Sequence, residues 1–189
     1  MKTTLQHQLL IAMPGIKNPL FKKTVIYICE HNQDGAMGII INKPLKNIKI
    51  QHILKKLNIE SSRCIFGPKI KDPVIMGGPQ AKERGFILHS SKKPFYSSIR
   101  ISDTTTITTS KDILESMGII EEPQKILVAL GYCTWGKNQL EKELLNNFWL
   151  TSSANHDILF NIPISKRWTH AAKNIGINMY QLSVHFGHA

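Results

Sequence analysis

Ile126-Leu-Val-Ala-Leu130 is an unbroken apolar run in a chain of 189 residues. Five consecutive apolar side chains suit a strand covered on both faces, because alternate residues point to opposite sides of a sheet. Two glycines follow, Gly131 and Gly136, and they predict a turn. Leu140, Leu144, Leu145, Phe148 and Trp149 then fall on one helical face. The reading is a buried strand at 126–130, a glycine turn, and a helix over 139–149 packed on that strand with Leu140, Leu144 and Phe148 buried.

The turn spells a phosphate-loop pattern, with Gly131, Gly136 and Lys137 in register. A working phosphate loop also needs a hydroxyl after the lysine to reach magnesium. It needs small residues where backbone wraps phosphate, and an acidic strand end elsewhere. Here Asn138 follows Lys137, Tyr132 and Trp135 are bulky, and no later strand ends in a suitable carboxylate. The segment reads instead as a tight turn, with Trp135 packed over the top of the core.

Around this centre, apolar and β-branched runs predict strands at 9–13, 24–29, 37–42, 74–76, 84–89 and 158–160. The polar stretch Glu30 to Gly35 predicts a hairpin between the second and third. A further hairpin over 98–109 turns at Asp103. Helical periodicity predicts a helix over 48–57 capped by Asn47, one from Ser110 to Met117, and a last one over 164–175 closed by Gly176. Residues 58–72 read as irregular. Strands cluster without a clean strand–helix alternation, so the expected class is α+β with a mixed, largely antiparallel sheet, in one domain of this length.

The formal charge is +11. It is uneven: residues 1–72 carry 12 Lys and Arg against 4 Asp and Glu, residues 73–189 carry 12 against 9. Such a surface can meet nucleic acid, acidic lipid or acidic protein, or can be a solvated lysine face. Cys29, Cys64 and Cys133 form no Cys-x-x-Cys pair, which excludes a zinc ribbon or a thioredoxin-like motif. No apolar stretch suits a signal peptide or a membrane span, so a cytoplasmic protein without membrane contact is expected.

Several short stretches, in order, carry a resemblance. They are Leu10 to Pro14, Tyr27 to Asn32, Gly35 to Gly38 with Asn42-Lys43-Pro44, Gly77 to Pro79, and Arg84 to His89. Further on come Leu130 to Tyr132, Gln139 to Glu141, Arg167-Trp168 and Gly187 to Ala189. With them the chain resembles the YqgE/AlgH family of bacterial proteins, of the YqgE type, over nearly its whole length. The resemblance implies a compact α+β domain whose sheet folds into a pseudo-barrel with flanking helices. It also implies a label of transcriptional regulator, drawn from association with polysaccharide control. Cys133 and Thr134 stand where the family usually has small residues.

The residues that could carry chemistry are few. Glu30 and His31 are neighbours on a strand and point to opposite faces, so turn hydrogen bonds are the favoured reading. His185-x-x-His188 has metal-like spacing, but Gly187 argues against a helix holding both, and no third ligand is evident. No nucleophile has an identifiable partner, and neither a helix-turn-helix nor an aromatic-rich RNA motif appears. No catalytic residue, metal or cofactor is therefore expected. The favoured site lies where Gly77, Gly78, Arg84, Gly131, Tyr132 and Trp135 could meet. Backbone N–H groups, a guanidinium and an aromatic wall would suit a small anionic or polar ligand. A plain turn at Gly77-Gly78-Pro79 is the competing reading. The favoured function is a non-enzymatic regulatory or ligand-binding protein without sequence-specific DNA binding. The alternatives are an enzyme built near 131–135 and a non-specific nucleic-acid binder using the basic N-terminal half.

Overall fold

The computed structural model describes residues 4–59, 68–90, 95–117, 123, 125–179 and 181–182. Its first strands are β1 (Gln8–Ala12), β2 (Val25–Asn32), β3 (Gly35–Ile40) and β4 (Pro44–Lys49), followed by helix α1 (Ile50–Lys56). Next come β5 (Pro73–Met76), β6 (Gln80–His89), β7 (Ser98–Arg100), β8 (Thr106–Thr108) and α2 (Asp112–Ser116). The chain continues with β9 (Ile126–Gly136), α3 (Gln139–Leu145), β10 (Trp149–Ser153) and α4 (Arg167–Lys173). The sheets are largely antiparallel with flanking helices, so the α+β class holds.

The chain clusters into two compact units, one of Met1–Lys43 with Cys133–Ala189, the other of Pro44–Tyr132. In the first unit the strands run in the order β10, β1, β2, β3 and the end of β9, every pair antiparallel. Leu9 to Ala12, Val25 to Ile28 and Ile39 to Ile41 are all buried. Unbroken burial along a strand requires cover on both faces. Helix α4 supplies part of it, packing on β1, β2 and β10. Its Trp168 indole N–H donates to the Ala12 carbonyl at 2.9 Å. The neighbouring Arg167 is buried and donates to the carbonyls of Ile41 and Ile162, at 2.6 and 3.1 Å. Burial brings its guanidinium down to about 10, still charged near neutral pH.

In the second unit the order is β4, β5, β9, β6, β8, β7, with β5 and β9 parallel and the other pairs antiparallel. Ile50 and Leu54 of α1 and Ile113 and Leu114 of α2 cluster with Val74, Ile87 and Val128.

Five sequence expectations change. Strand β9 does not stop at Leu130 but continues to Gly136, so no tight turn opens at Gly131. Helix α3 ends at Leu145, because Asn147 takes a left-handed conformation (φ 56°) and the chain turns back into β10. The apolar period of 139–149 thus spans a boundary. It buries Leu140, leaves Leu144 half-buried and Phe148 48% exposed, and its helix contacts β3 and β10. Asn47 lies within β4 at φ 62° instead of capping α1, which starts at Ile50. Residues 158–160, expected as a strand, lie instead in a helical turn, Asp157–Asn161, in which the Asn155 side chain accepts the Ile158 N–H. The last helix is also shorter than its period, a 3-10 turn at Ile164–Lys166 leading into α4. Cys64, His185 and His188 lie outside the described residues.

Candidate functional site

The two glycine segments of the expected site meet through their backbones. The Gly77 N–H donates to the Leu130 carbonyl at 2.7 Å. A Cβ on Gly77 would lie 2.2 Å from the Gly131 carbonyl, and one on Gly131 would lie 2.6 Å from the Gly78 carbonyl. Gly131 also has φ +76°, a conformation that side chains resist. Glycine is therefore needed at 77 and 131 because two backbones cross closely, and the Gly77 N–H is already spent within the crossing.

Beside the crossing, β6 is irregular. Gln80 pairs with Tyr132 and Gly85 with Leu130, so five residues of β6 advance while β9 advances two. The excess forms a bulge containing Ala81 at φ 43°. A bulge re-aims side chains out of the regular pleat, and here it carries Arg84. The Arg84 guanidinium carbon lies 5.9 Å from the centroid of the Phe86 ring, over its face. Phe86 in turn packs against Tyr132 with centroids 5.3 Å apart and planes tilted by 58°. Arg84 and Tyr132 are thus joined through Phe86, which is not among the site residues expected from sequence. Arg84 is exposed, and none of the ion pairs among the described residues includes it. Chemically this is a cation on an aromatic platform.

Trp135 is engaged elsewhere. It alternates with Tyr132 along β9 and faces the other way. It is buried, and its indole N–H donates to Glu143 Oε2 at 2.9 Å. The Trp149 indole donates to the same oxygen at 2.8 Å, and the Gln139 amide reaches Oε1 at 3.1 Å. Trp135 and Trp149 also pack edge to face. Cys133, on the same unit, is buried, and burial with the nearby Glu143 charge pushes its thiol up to about 12. A thiol so strongly protonated is a poor nucleophile.

Glu30 and His31 divide as their strand geometry requires. Glu30 accepts from the Asn32 amide, and Asn32 accepts the Asp34 N–H, which shapes the hairpin turn. His31 Nδ1 accepts the Leu5 N–H at 3.0 Å, so Nε2 carries the proton and donates to Glu141 at 3.1 Å. That partner is far away in sequence, and periodicity could not have found it. Among the described residues no group of His, Cys, Asp and Glu could hold a metal ion, and no helix is long and apolar enough to cross a membrane.

A family model described as AlgH-like matches residues 9–180. A UPF0301 protein of Erwinia tasmaniensis is 56% identical over 185 residues, covering 98% of this chain and 99% of that protein. The UPF0301 protein YqgE of Salmonella typhi is 55% identical over the same length and coverage. Among solved structures, the AlgH protein of Pseudomonas aeruginosa is 37% identical with a TM-score of 0.77, covering 100% of this chain and 98% of that one. A Corynebacterium diphtheriae protein matches with a TM-score of 0.74 at 15% identity, a likeness of fold alone, over 97% of this chain and 93% of that one.

Proposed function

The chain belongs to the AlgH-like family, and from that premise we propose that it is a non-enzymatic regulatory protein that binds a small anionic or polar ligand at the Arg84–Phe86–Tyr132 face. The observation that carries this reading is the stack itself: a guanidinium lies over Phe86 at 5.9 Å, and Phe86 packs on Tyr132 at 5.3 Å. A guanidinium offers paired donors to a carboxylate or phosphate, and the aromatic edge offers apolar cover to the rest of the ligand. Gly131 directly precedes Tyr132, so the close approach of the Gly77 and Gly131 backbones fixes the chain next to the platform, and a fixed site lowers the ordering cost of binding.

The enzymatic alternative draws less support. Residues 131–136 are strand, Trp135 is held by Glu143, and Cys133 is kept protonated.

The test is an NMR titration of labelled protein with a panel of carboxylates and phosphate esters. Saturable shifts centred on Arg84, Phe86 and Tyr132 are expected, with affinity falling about tenfold or more in Arg84→Gln, as loss of a charged hydrogen bond implies. A panel without a saturable binder, or a binder indifferent to Arg84→Gln, refutes the reading.

A further inference from the structure

A second cationic feature lies within the other unit, independent of the Arg84 face. Residues 18–24 form a compact turn. The N–H groups of Phe21 and Lys22 both donate to the Asn18 carbonyl, and the Asn18 side chain accepts the Leu20 N–H. Lys23, at the end of this turn, takes a left-handed backbone conformation, φ 55°. For a lysine that is costly, and it persists only where the surroundings impose it.

The surroundings are three side chains. The Asn42 amide donates to the Lys23 carbonyl at 2.8 Å while its oxygen accepts the Val25 N–H at 2.8 Å. The Lys43 ammonium donates to the Lys22 carbonyl at 2.7 Å. The Lys23 ammonium lies 5.6 Å from the Trp168 ring centroid, over its face. Trp168 is itself anchored by its bond to Ala12.

The fold thus joins the 22–23 and 42–43 segments and fixes an ammonium group from each. Burial lowers the Lys43 ammonium, and the like charge of Lys23 lowers it further. None of the ion pairs among the described residues includes Lys22, Lys23 or Lys43. Like charges fixed together without a carboxylate between them repel, and a bound anion converts that repulsion into attraction. A solvated lysine face would let these chains spread; here one is tied to a carbonyl and the other to an indole.

We propose that Lys23 and Lys43, set by Asn42 and Trp168, form a binding site for a compact multivalent oxyanion of the phosphate type. Lys43 keeps two N–H donors beyond its bond to Lys22, and the Lys23 ammonium, set over the indole face at 5.6 Å, has three N–H donors to offer an anion. Lysine suits this task as a compact point charge with rotatable donors.

The chain contains three tryptophans, and the other two indole N–H groups both bond to Glu143. The indole N–H resonance of Trp168 is therefore a local reporter. Labelled protein is titrated with pyrophosphate at physiological salt, and in a second arm with a short single-stranded oligonucleotide. The expected result is a saturable shift at Trp168, with the Trp135 and Trp149 resonances still, and affinity about tenfold weaker in Lys43→Gln. Lys43→Arg, which keeps the charge, should retain most of the binding. Saturation by the oligonucleotide alone, again lost in Lys43→Gln, assigns the same phosphate chemistry to a polymer. Absence of a saturable Trp168 shift in both arms, or equal affinity in Lys43→Gln with a native spectrum, overturns the proposal.

Discussion

Glu143 holds two indoles with one carboxylate oxygen, and the energetics of that contact are testable at a single atom. Glu143→Gln replaces an anion that accepts both N–H groups at 2.9 and 2.8 Å with a neutral amide that can present a donor to them. Bonds to charged groups contribute about 1.5–3 kcal/mol each, though not additively. A loss of about 1.5–3 kcal/mol in urea unfolding is expected; a change under about 0.5 kcal/mol would show that solvent takes over the indoles. Gly131→Ala should cost about 1–3 kcal/mol, because φ +76° and the Gly78 carbonyl at 2.6 Å leave no room for a methyl group. Cys133 makes the third residue-scale prediction. Its thiol is pushed up to about 12 from an ordinary 9.0, so the folded state keeps the proton where the unfolded state has lost it. The stabilisation is complete below about pH 9 and fades as pH rises toward 12. At pH 8 Cys133 should resist iodoacetamide in the folded protein and react once denatured, as read by mass spectrometry of the Cys133 peptide.

Among elements, α3 separates pattern from packing. Its repeat of leucines is real, but only Leu140 is buried at 1% exposure, while Leu145 is 82% exposed. Leu140→Ala should therefore cost about 2–5 kcal/mol, the range for buried leucines, because a cavity opens beneath the helix. Leu145→Ala should fall within about 0.5 kcal/mol of the parent, as surface changes do. Chemical denaturation of both variants decides it; equal costs would mean the helix lies differently on β3 and β10. The same element shows why Phe148 and Trp149 misled. Hydrophobic spacing continues through Asn146 and Asn147, yet the left-handed Asn147 ends the helix and Trp149 begins β10.

For the molecule as a whole, strand β9 is the shared element. Its first half pairs with β5 and β6 and its second half with β3. One unbroken strand serving both units argues for cooperative unfolding. All three tryptophans lie in one unit, Trp135, Trp149 and Trp168, whereas far-ultraviolet circular dichroism sees both. Coincident urea transitions by the two probes are expected, and a separated pair would establish two independent units.

Much of the architecture was legible in the chain. The strands at β1, β2, β5 and β6 follow from β-branched apolar runs ended by Pro, Gly or polar residues, because a strand's character is written in its own side chains. The family likewise rests on short motifs that stand in the sequence. Element ends were harder: Asn47 and Asn147 both adopt left-handed backbones, a choice that surrounding chain can impose on asparagine without changing the local pattern. The candidate site was half legible. Glycines 77 and 131 announced themselves, since only glycine survives a close crossing. The stack of Arg84, Phe86 and Tyr132 did not, because it depends on a bulge whose register is set by pairing between distant strands. Trp135 went to Glu143 because the chain turns back from β9 into α3, and Lys43 reached the Lys22 carbonyl because β2 pairs with β3. A sequence determines what each segment can be; which side chains meet is decided by long-range pairing that no local pattern encodes.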